Sequence, residues 1–477
     1  MTFAVPWVAI MILGPAAGAL AARWRPAVGR RAALAASGLF LAASAGAAVE
    51  FGVRGARVDP LDPGRWLGSP WFAVDDGNAA LLVFLAAVML FIAVVAPMRK
   101  WKPGSAERML LSGSILAGGF ASATDIGLLV FWILSPWPLG RELAAFDGKE
   151  GCRRSFRVTC AVGSVLLAAG IVALRLSAAN AGLRTLGAAL VLCAALLRQG
   201  VVPFQSWLPH FFSRAPLPAM LVLAVPQWGT WAALRLAVPA APDVLLAILA
   251  ALTAVTAVYG AGLALVQSDA RRAFGWLFAS ETAIVLSSLS GTTETGLAGG
   301  LLLWLSSGLS LAGLGMTLAA LEARRGPLRL DEYGGGYESK PRLAYGFLLL
   351  GLCSVGFPGT LGFVGAELLI DGSVAARPEL AVAIVVATVL NGLAVVNMYF
   401  RLFCGRRRPV NTRLALRPRE HIGFMALVVI LALLGLWPRG LLDTRVRAAQ
   451  KRRRPALRLG SRRRLIISTT TPEIPHS

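Results

Sequence analysis

Two ionisable side chains stand where an apolar solvent would penalise them. Glu281 lies nine residues into the apolar stretch 272–290, and Arg198 lies inside 186–205. Charged groups within membrane segments are costly and mark ion pathways, relays or paired sites. A carboxyl there can take up and release protons, whereas a guanidinium is essentially never deprotonated and can supply only a fixed charge. For Glu281 two readings stay open. It is a proton-relay carboxyl or counter-ion to Arg198, or it is a structural glutamate bonded to a neighbouring hydroxyl.

Other chemistry finds little support. The five cysteines (Cys152, Cys160, Cys193, Cys353, Cys404) are scattered, with no CxxC, and the three histidines (His210, His421, His476) are dispersed. The sequence therefore predicts no metal site and no bound redox cofactor. His210 reads as a loop residue after Trp207 and Pro209. The glycines of DEYGGGYESKP (331–341) match no phosphate-binding pattern. No nucleophile–base pair suggests hydrolysis.

The elements that must position Arg198 and Glu281 follow from composition. The chain has 477 residues, 56% hydrophobic and 15% charged, too few charged groups to cover a soluble surface. Apolar segments fall at 3–22, 32–51, 77–97, 109–123, 126–140, 158–176, 186–205, 217–238, 243–266, 272–290, 297–321, 343–371, 379–403 and 421–442. Each approaches the ~20 residues that span a bilayer as a helix. The expectation is an all-α polytopic membrane protein of about 14 transmembrane helices. The first segment lacks a basic start and a small-residue cleavage site and reads as a retained helix.

The net charge of +23 would suggest nucleic acid in a soluble protein, but no basic run is interleaved with an aromatic stacking platform. Placing the N-terminus outside puts 27 Lys and Arg in the inner loops and six in the outer ones (Arg54, Arg57, Arg65, Arg175, Arg184, Arg377). That is the positive-inside asymmetry of a multi-pass protein, and nucleic-acid binding is excluded. One run resists it. Residues 445–464 hold ten basic side chains after the last segment, on the outer side if fourteen spans are right. They read as a disordered tail or as a contact for anionic lipid or an acidic subunit. QSDARR (267–272) reads as a capped helix end with basic anchors.

Two segments carry breakers in their middles: ALLRQGVVPFQSWLP, with Gly200 and Pro203, and CSVGFPGTLGFVGAELL, with Gly356, Pro358, Gly359 and Gly362. Proline and glycine distort or end a helix. Interruptions at corresponding places of two halves are the sign of an inverted repeat. Here they lie five segments apart. They predict two inverted five-helix repeats, each with a broken helix: 109–240 and 241–404, after N-terminal helices and an outer loop (1–108) and before a final helix (405–442) and the basic tail (443–477).

At these breaks the chain resembles a known family. VVPFQSWLPHFFSRAPLPA (201–219), YGAGLALVQSDARRAFGW (259–276), LSSGLSLAG (305–313) and LLLGLCSVGFPGTLGFVGAELLI (348–370) are similar to signatures of the antiporter-like subunits of respiratory complex I, and the last two point to its M type. Hydrogenase-linked and cation/proton antiporter relatives share these motifs. The resemblance implies a membrane-arm subunit of a complex I-like NADH–quinone oxidoreductase in a bacterial inner membrane. Such a subunit would sit among other membrane subunits, without a redox cofactor, beside a path for protons or sodium. It also implies a carboxylate–lysine pair in each repeat, and this sequence departs from that pattern. The fifth-segment carboxylate falls on Ile133, the seventh-segment lysine on Arg198, the eighth-segment lysine on Gln227 and the eleventh-segment histidine on Ser307. The terminal carboxylate falls on Ala366, with Glu367 displaced by one position, a rotation of about 100° that the glycine-rich break can absorb. Glu281 stands where relatives often carry histidine. The candidate path is thus Arg198, Glu281, Glu367, Gln227 and Ser307, the last two able to order water but not to change charge. The competing readings are a scaffold subunit that conducts nothing, and a cation/proton antiporter or a membrane subunit of hydrogenase or inorganic-carbon-uptake machinery.

Overall fold

Helix accounts for nearly every ordered residue of the computed structural model, which describes residues 5–450 apart from 56, 65–68, 98–101, 103, 146–149, 178–179, 292, 336, 338–339 and 406–416. Among the described residues, ten helices are long and apolar enough to cross a membrane. The first are α1 (Trp7–Trp24) and α2 (Gly29–Arg54). The shorter α3 (Ala79–Val95) and α4 (Ser105–Ala121) follow. Segment 126–140 is not one helix but two, α5 (Asp125–Leu134) and α6 (Trp137–Ala144), separated at Ser135 and Pro136. Next come α7 (Glu150–Leu176) and the two pieces of the seventh segment, α8 (Ala181–Gln199) and α9 (Trp207–Arg214). His210 therefore lies on a helix, α9, rather than in a loop.

The eighth segment is also divided, into α10 (Leu217–Ala224), α11 (Trp228–Ala232) and a π-helical turn over Ala233–Ala237. Then come α12 (Asp243–Val266), α13 (Ala270–Ser287) and α14 (Glu294–Arg325). The twelfth segment splits into α15 (Pro341–Ser354) and α16 (Leu361–Val374), and α17 (Pro378–Phe403) and α18 (Pro418–Leu436) follow. The one sheet among the described residues is a two-residue antiparallel pairing of Arg57–Val58 with Ala73–Val74 in the loop after α2.

Local chemistry sets many of these boundaries. Side-chain oxygens of Thr124, Asn180, Asp269 and Thr293 accept from the backbone N–H three residues on, at 3.0, 3.1, 2.7 and 3.2 Å, as N-caps do. The cap on Asp269 is the one read from QSDARR. Its neighbour Arg271 pairs with Glu322 at 3.5 Å.

The core centres on α13 and α14, whose apolar windows are wholly buried among other helices. Backbone approaches backbone where α14 meets α16. A Cβ on Gly299 would lie 2.5 Å from the amide nitrogen of Leu369, and one on Gly372 would lie 2.3 Å from that of Gly296. Small residues permit such packing where no hydrophobic force separates helix from lipid.

The chain alternates between two ends. Arg23 reaches Glu107 at 3.3 Å, Arg108 pairs with Glu142, and Arg324 pairs with Glu420, all at the end that carries the basic loops. At the other end Arg175 faces Asp125 at 3.7 Å, and Arg184 donates to the carbonyl of Pro239 at 2.8 Å. The run after α18 corrects the sequence reading. Residues 439–450 form a helix, α19, not a disordered tail from 443, and Arg445 is 1% exposed. Arg445 donates to the carbonyls of Asp76 (3.0 Å) and Gly77 (3.3 Å), so α19 lies at the end opposite the basic loops. Burial, partly offset by Asp75 and Asp76, lowers the Arg445 pKa to about 10, so it remains charged at neutral pH. The rest of the basic run, from 451, lies outside the described residues.

Candidate functional site

Both breaks turn on glycine. Gly200 (φ +67°) ends α8 and Gly356 (φ +75°) follows α15, and only glycine adopts that region without cost. Residues 200–206 and 355–360 separate the half-helices. A third irregularity lies at Gln227, the single non-glycine residue with positive φ (+49°) among those described. A long side chain held there stores backbone strain, and such strain gathers at functional sites.

Around the first break Arg198 extends from α8. Its Nη2 donates to Ser135 Oγ at 2.8 Å, its Nη1 lies 3.6 Å from Cys160 Sγ, and its guanidinium sits 5.3 Å from the centre of the Trp132 ring. Trp132 stacks on Trp228 at 6.4 Å, next to Gln227 in sequence. The Gln199 amide donates to Thr230 Oγ1 at 2.7 Å, whose hydroxyl faces Gln227 Oε1 at 3.4 Å, while Gln227 Nε2 has no protein partner. Arg198 forms no ion pair with an acidic side chain among the described residues. Ile133, on the expected carboxylate position, is 52% exposed on the outside of the bundle. This half of the site holds a fixed cation on a π face, a hydroxyl and a thiol, with an amide able to orient water.

Around the second break Glu281 projects from α13 and is 4% exposed. Ser354, the last residue of α15, lies beside it with its own hydroxyl donating to the carbonyl of Gly351 at 2.9 Å, and Glu281 Oε1 has no protein partner. Ser306 Oγ, also unpartnered, lies beside the break: a Cβ on Gly362 would be 3.0 Å from it and from the carbonyl oxygen of Cys353. Ser307, 1% exposed, has an unpartnered hydroxyl too. On the adjacent face of α13, Asn391 donates to Ser280 Oγ at 2.9 Å and leaves its own Oδ1 unpartnered. Buried polar atoms are otherwise almost always satisfied, and water commonly serves those that protein does not.

The site residues are not all brought together. Arg198 belongs to the first break and Glu281 to the second, and no ion pair joins them, so the counter-ion reading is not met. Glu367 is exposed, four residues before the likewise exposed Asp371. The reason is the glycine face of α16: Gly362, Gly365 and Gly372 pack inward, and residue 367 lies about 200° around the helix from Gly365. The break does not absorb the one-residue displacement. Sequence reasoning missed Ser354, Asn391 and the Gln199–Thr230 bond. A lone amide inside an apolar segment, and a serine two residues before a break glycine, were the available signals.

It also missed a buried ionic network at the basic end. Glu142, 3% exposed, accepts from Ser105 Oγ at 2.8 Å and from Arg108; Glu107 accepts from Arg141 at 2.8 Å and Arg23 at 3.3 Å. A cavity of about 30 Å³ adjoins Ser105, Arg108, Ser112 and Glu142, room for one water.

A multi-pass helical membrane protein whose interrupted helices carry buried polar groups is the class that fold and site define. Residues 155–391 match the family described as NADH:quinone oxidoreductase/Mrp antiporter, TM. NADH-quinone oxidoreductase subunit 13 of Thermus thermophilus is 31% identical over 360 residues, 69% of this chain and 74% of that protein. The chain belongs to that antiporter-like family. A chain in the structure of respiratory complex I from Thermus thermophilus with bound NADH superposes with a TM-score of 0.83 at 25% identity, covering 93% of this chain and 99% of that one. A chain of the Mrp complex from Dietzia sp. DQ12-45-1b gives 0.84 at 18% identity over 94% and 98%, a likeness of fold alone.

Proposed function

We propose that this chain is a membrane-arm subunit of a complex I-like NADH–quinone oxidoreductase in a bacterial inner membrane, and that it takes part in proton translocation coupled to quinone reduction. The observation that carries this reading is Glu281: a buried carboxyl at a helix break, with one oxygen unpartnered and a serine hydroxyl beside the other end of the break. A carboxyl so placed can bind and release a proton at little structural cost, and water held by Ser306, Ser307 or Asn391 can carry that proton onward. Arg198 biases the first half electrostatically without titrating, and Gln227 orders water beside it. Glu367 takes part only through a neighbouring membrane subunit, on the outward face of α16. The fourteen segments cross the bilayer, 109–240 and 241–404 forming inverted repeats, with the basic loops in the cytoplasm. No redox group is held by this subunit.

A second reading has its own observation. Ile133 faces outward and Arg198, Gln227 and Ser307 cannot exchange charge, which favours a scaffold that docks its neighbours without conducting. The matched family also covers Mrp antiporters, so a cation/proton antiporter, or a membrane subunit of hydrogenase or inorganic-carbon-uptake machinery, is the remaining alternative. Purifying the host complex from a strain lacking this chain separates them. The proposal expects NADH–quinone reductase activity to persist with fewer protons moved per quinone. Retention of the full proton yield would leave the scaffold and the antiporter.

A further inference from the structure

On the outside of the bundle, between α5–α6 and α7, a lateral groove of about 570 Å³ is open. Its walls are apolar: Ile133, Trp137, Phe156 and Ala161. Its mouth at the basic end carries Arg141, Arg153 and Arg157. Arg141 is already engaged, with Glu107 at 2.8 Å and over the Trp137 ring at 5.1 Å. Arg153 and Arg157 form no ion pair with an acidic side chain among the described residues. They lie four apart on one helix face, a like-charge placement that costs free energy unless an anion relieves it.

The surroundings identify the solvent. Val158, Val162 and Val165 on α7 are 55%, 46% and 68% exposed, an apolar flank suited to acyl chains. From Arg153 to Ser164, the groove's farthest lining residue on α7, is about 16 Å at about 1.5 Å per residue. That is one leaflet, half of a hydrocarbon core about 30 Å thick. We propose that this groove binds an anionic phospholipid, its phosphate between Arg153 and Arg157 and an acyl chain along Ile133, Trp137, Phe156 and Ala161. Basic pockets between membrane helices on the cytoplasmic side suit such head groups. A zwitterionic lipid would bring its own cation to Arg153 and Arg157, so the groove selects by charge. The inference rests on the chain spanning the bilayer and not on proton translocation.

The full-length protein in detergent is titrated with phosphatidylglycerol or with phosphatidylcholine of the same acyl chains, and bound lipid is counted by native mass spectrometry. Wild type is expected to retain one phosphatidylglycerol about tenfold more tightly than phosphatidylcholine. Arg153→Gln/Arg157→Gln should level the two lipids. Ala161→Trp, which fills the groove but keeps the arginines, should lose both. Inorganic phosphate should leave the lipid in place. Equal retention of the two lipids by wild type, undiminished preference in the double variant, displacement by phosphate alone, or a cross-link from Trp137→Cys to a partner subunit's helix would each overturn the proposal.

Discussion

Arg108→Ala is expected to destabilise the protein by about 3–5 kcal/mol, the cost of leaving a buried charge without its partner. Glu142 is 3% exposed and Arg108 8%, so solvent screens the pair little. With the guanidinium gone, Glu142 keeps Ser105 as a partner at 2.8 Å and no ion-pair partner among the described residues. The neighbouring pair cannot compensate, because Arg141 and Arg23 are both committed to Glu107. Arg108→Met/Glu142→Leu should recover most of the loss, since an apolar pair of similar volume is often as stable as a buried ion pair. Thermal unfolding of wild type and the two variants in detergent measures the loss and its recovery. A single variant as stable as wild type would show that the network contributes nothing.

Glu281→Leu should act with the opposite sign, raising stability by about 1–3 kcal/mol. Its Oε1 lacks a protein partner among the described residues and the hydroxyl of neighbouring Ser354 is given to the Gly351 carbonyl, so burial of the carboxyl is poorly compensated. Leucine fits a site enclosed by α13 and the end of α15 and removes the uncompensated group. A site kept polar at the expense of stability is the mark of function rather than of packing. Loss of stability in Glu281→Leu would instead assign the glutamate a structural bond, the second of the readings its sequence position allows.

How much of this was legible in the sequence depends on what each feature obeys. Apolar length and helix caps are local, so the segments and the Asp269 cap were readable, as were the matched breaks at Gly200 and Gly356. Alternation of the loops between two ends was readable from charge. The facing of a side chain beside a break is not local. Glu367 points outward because Gly362, Gly365 and Gly372 dock α16 on α14, and that docking fixes the rotation that the one-residue displacement left open. Arg108 and Arg141 counted in the sequence only as basic loop residues, and nothing along the chain reveals that Glu107 and Glu142 meet them. Residues 443–450 looked like the start of a charged tail because one buried arginine, Arg445, is indistinguishable in sequence from its exposed neighbours.

The carboxyl at the second break is the centre of the account. Vesicles containing the assembled complex, with either the wild-type chain or Glu281→Gln, allow protons moved and quinone reduced to be followed together by a pH-sensitive dye and by NADH oxidation. The account predicts fewer protons per quinone with glutamine at 281, at matched quinone reduction and unchanged subunit composition. An identical ratio in the two preparations would contradict it.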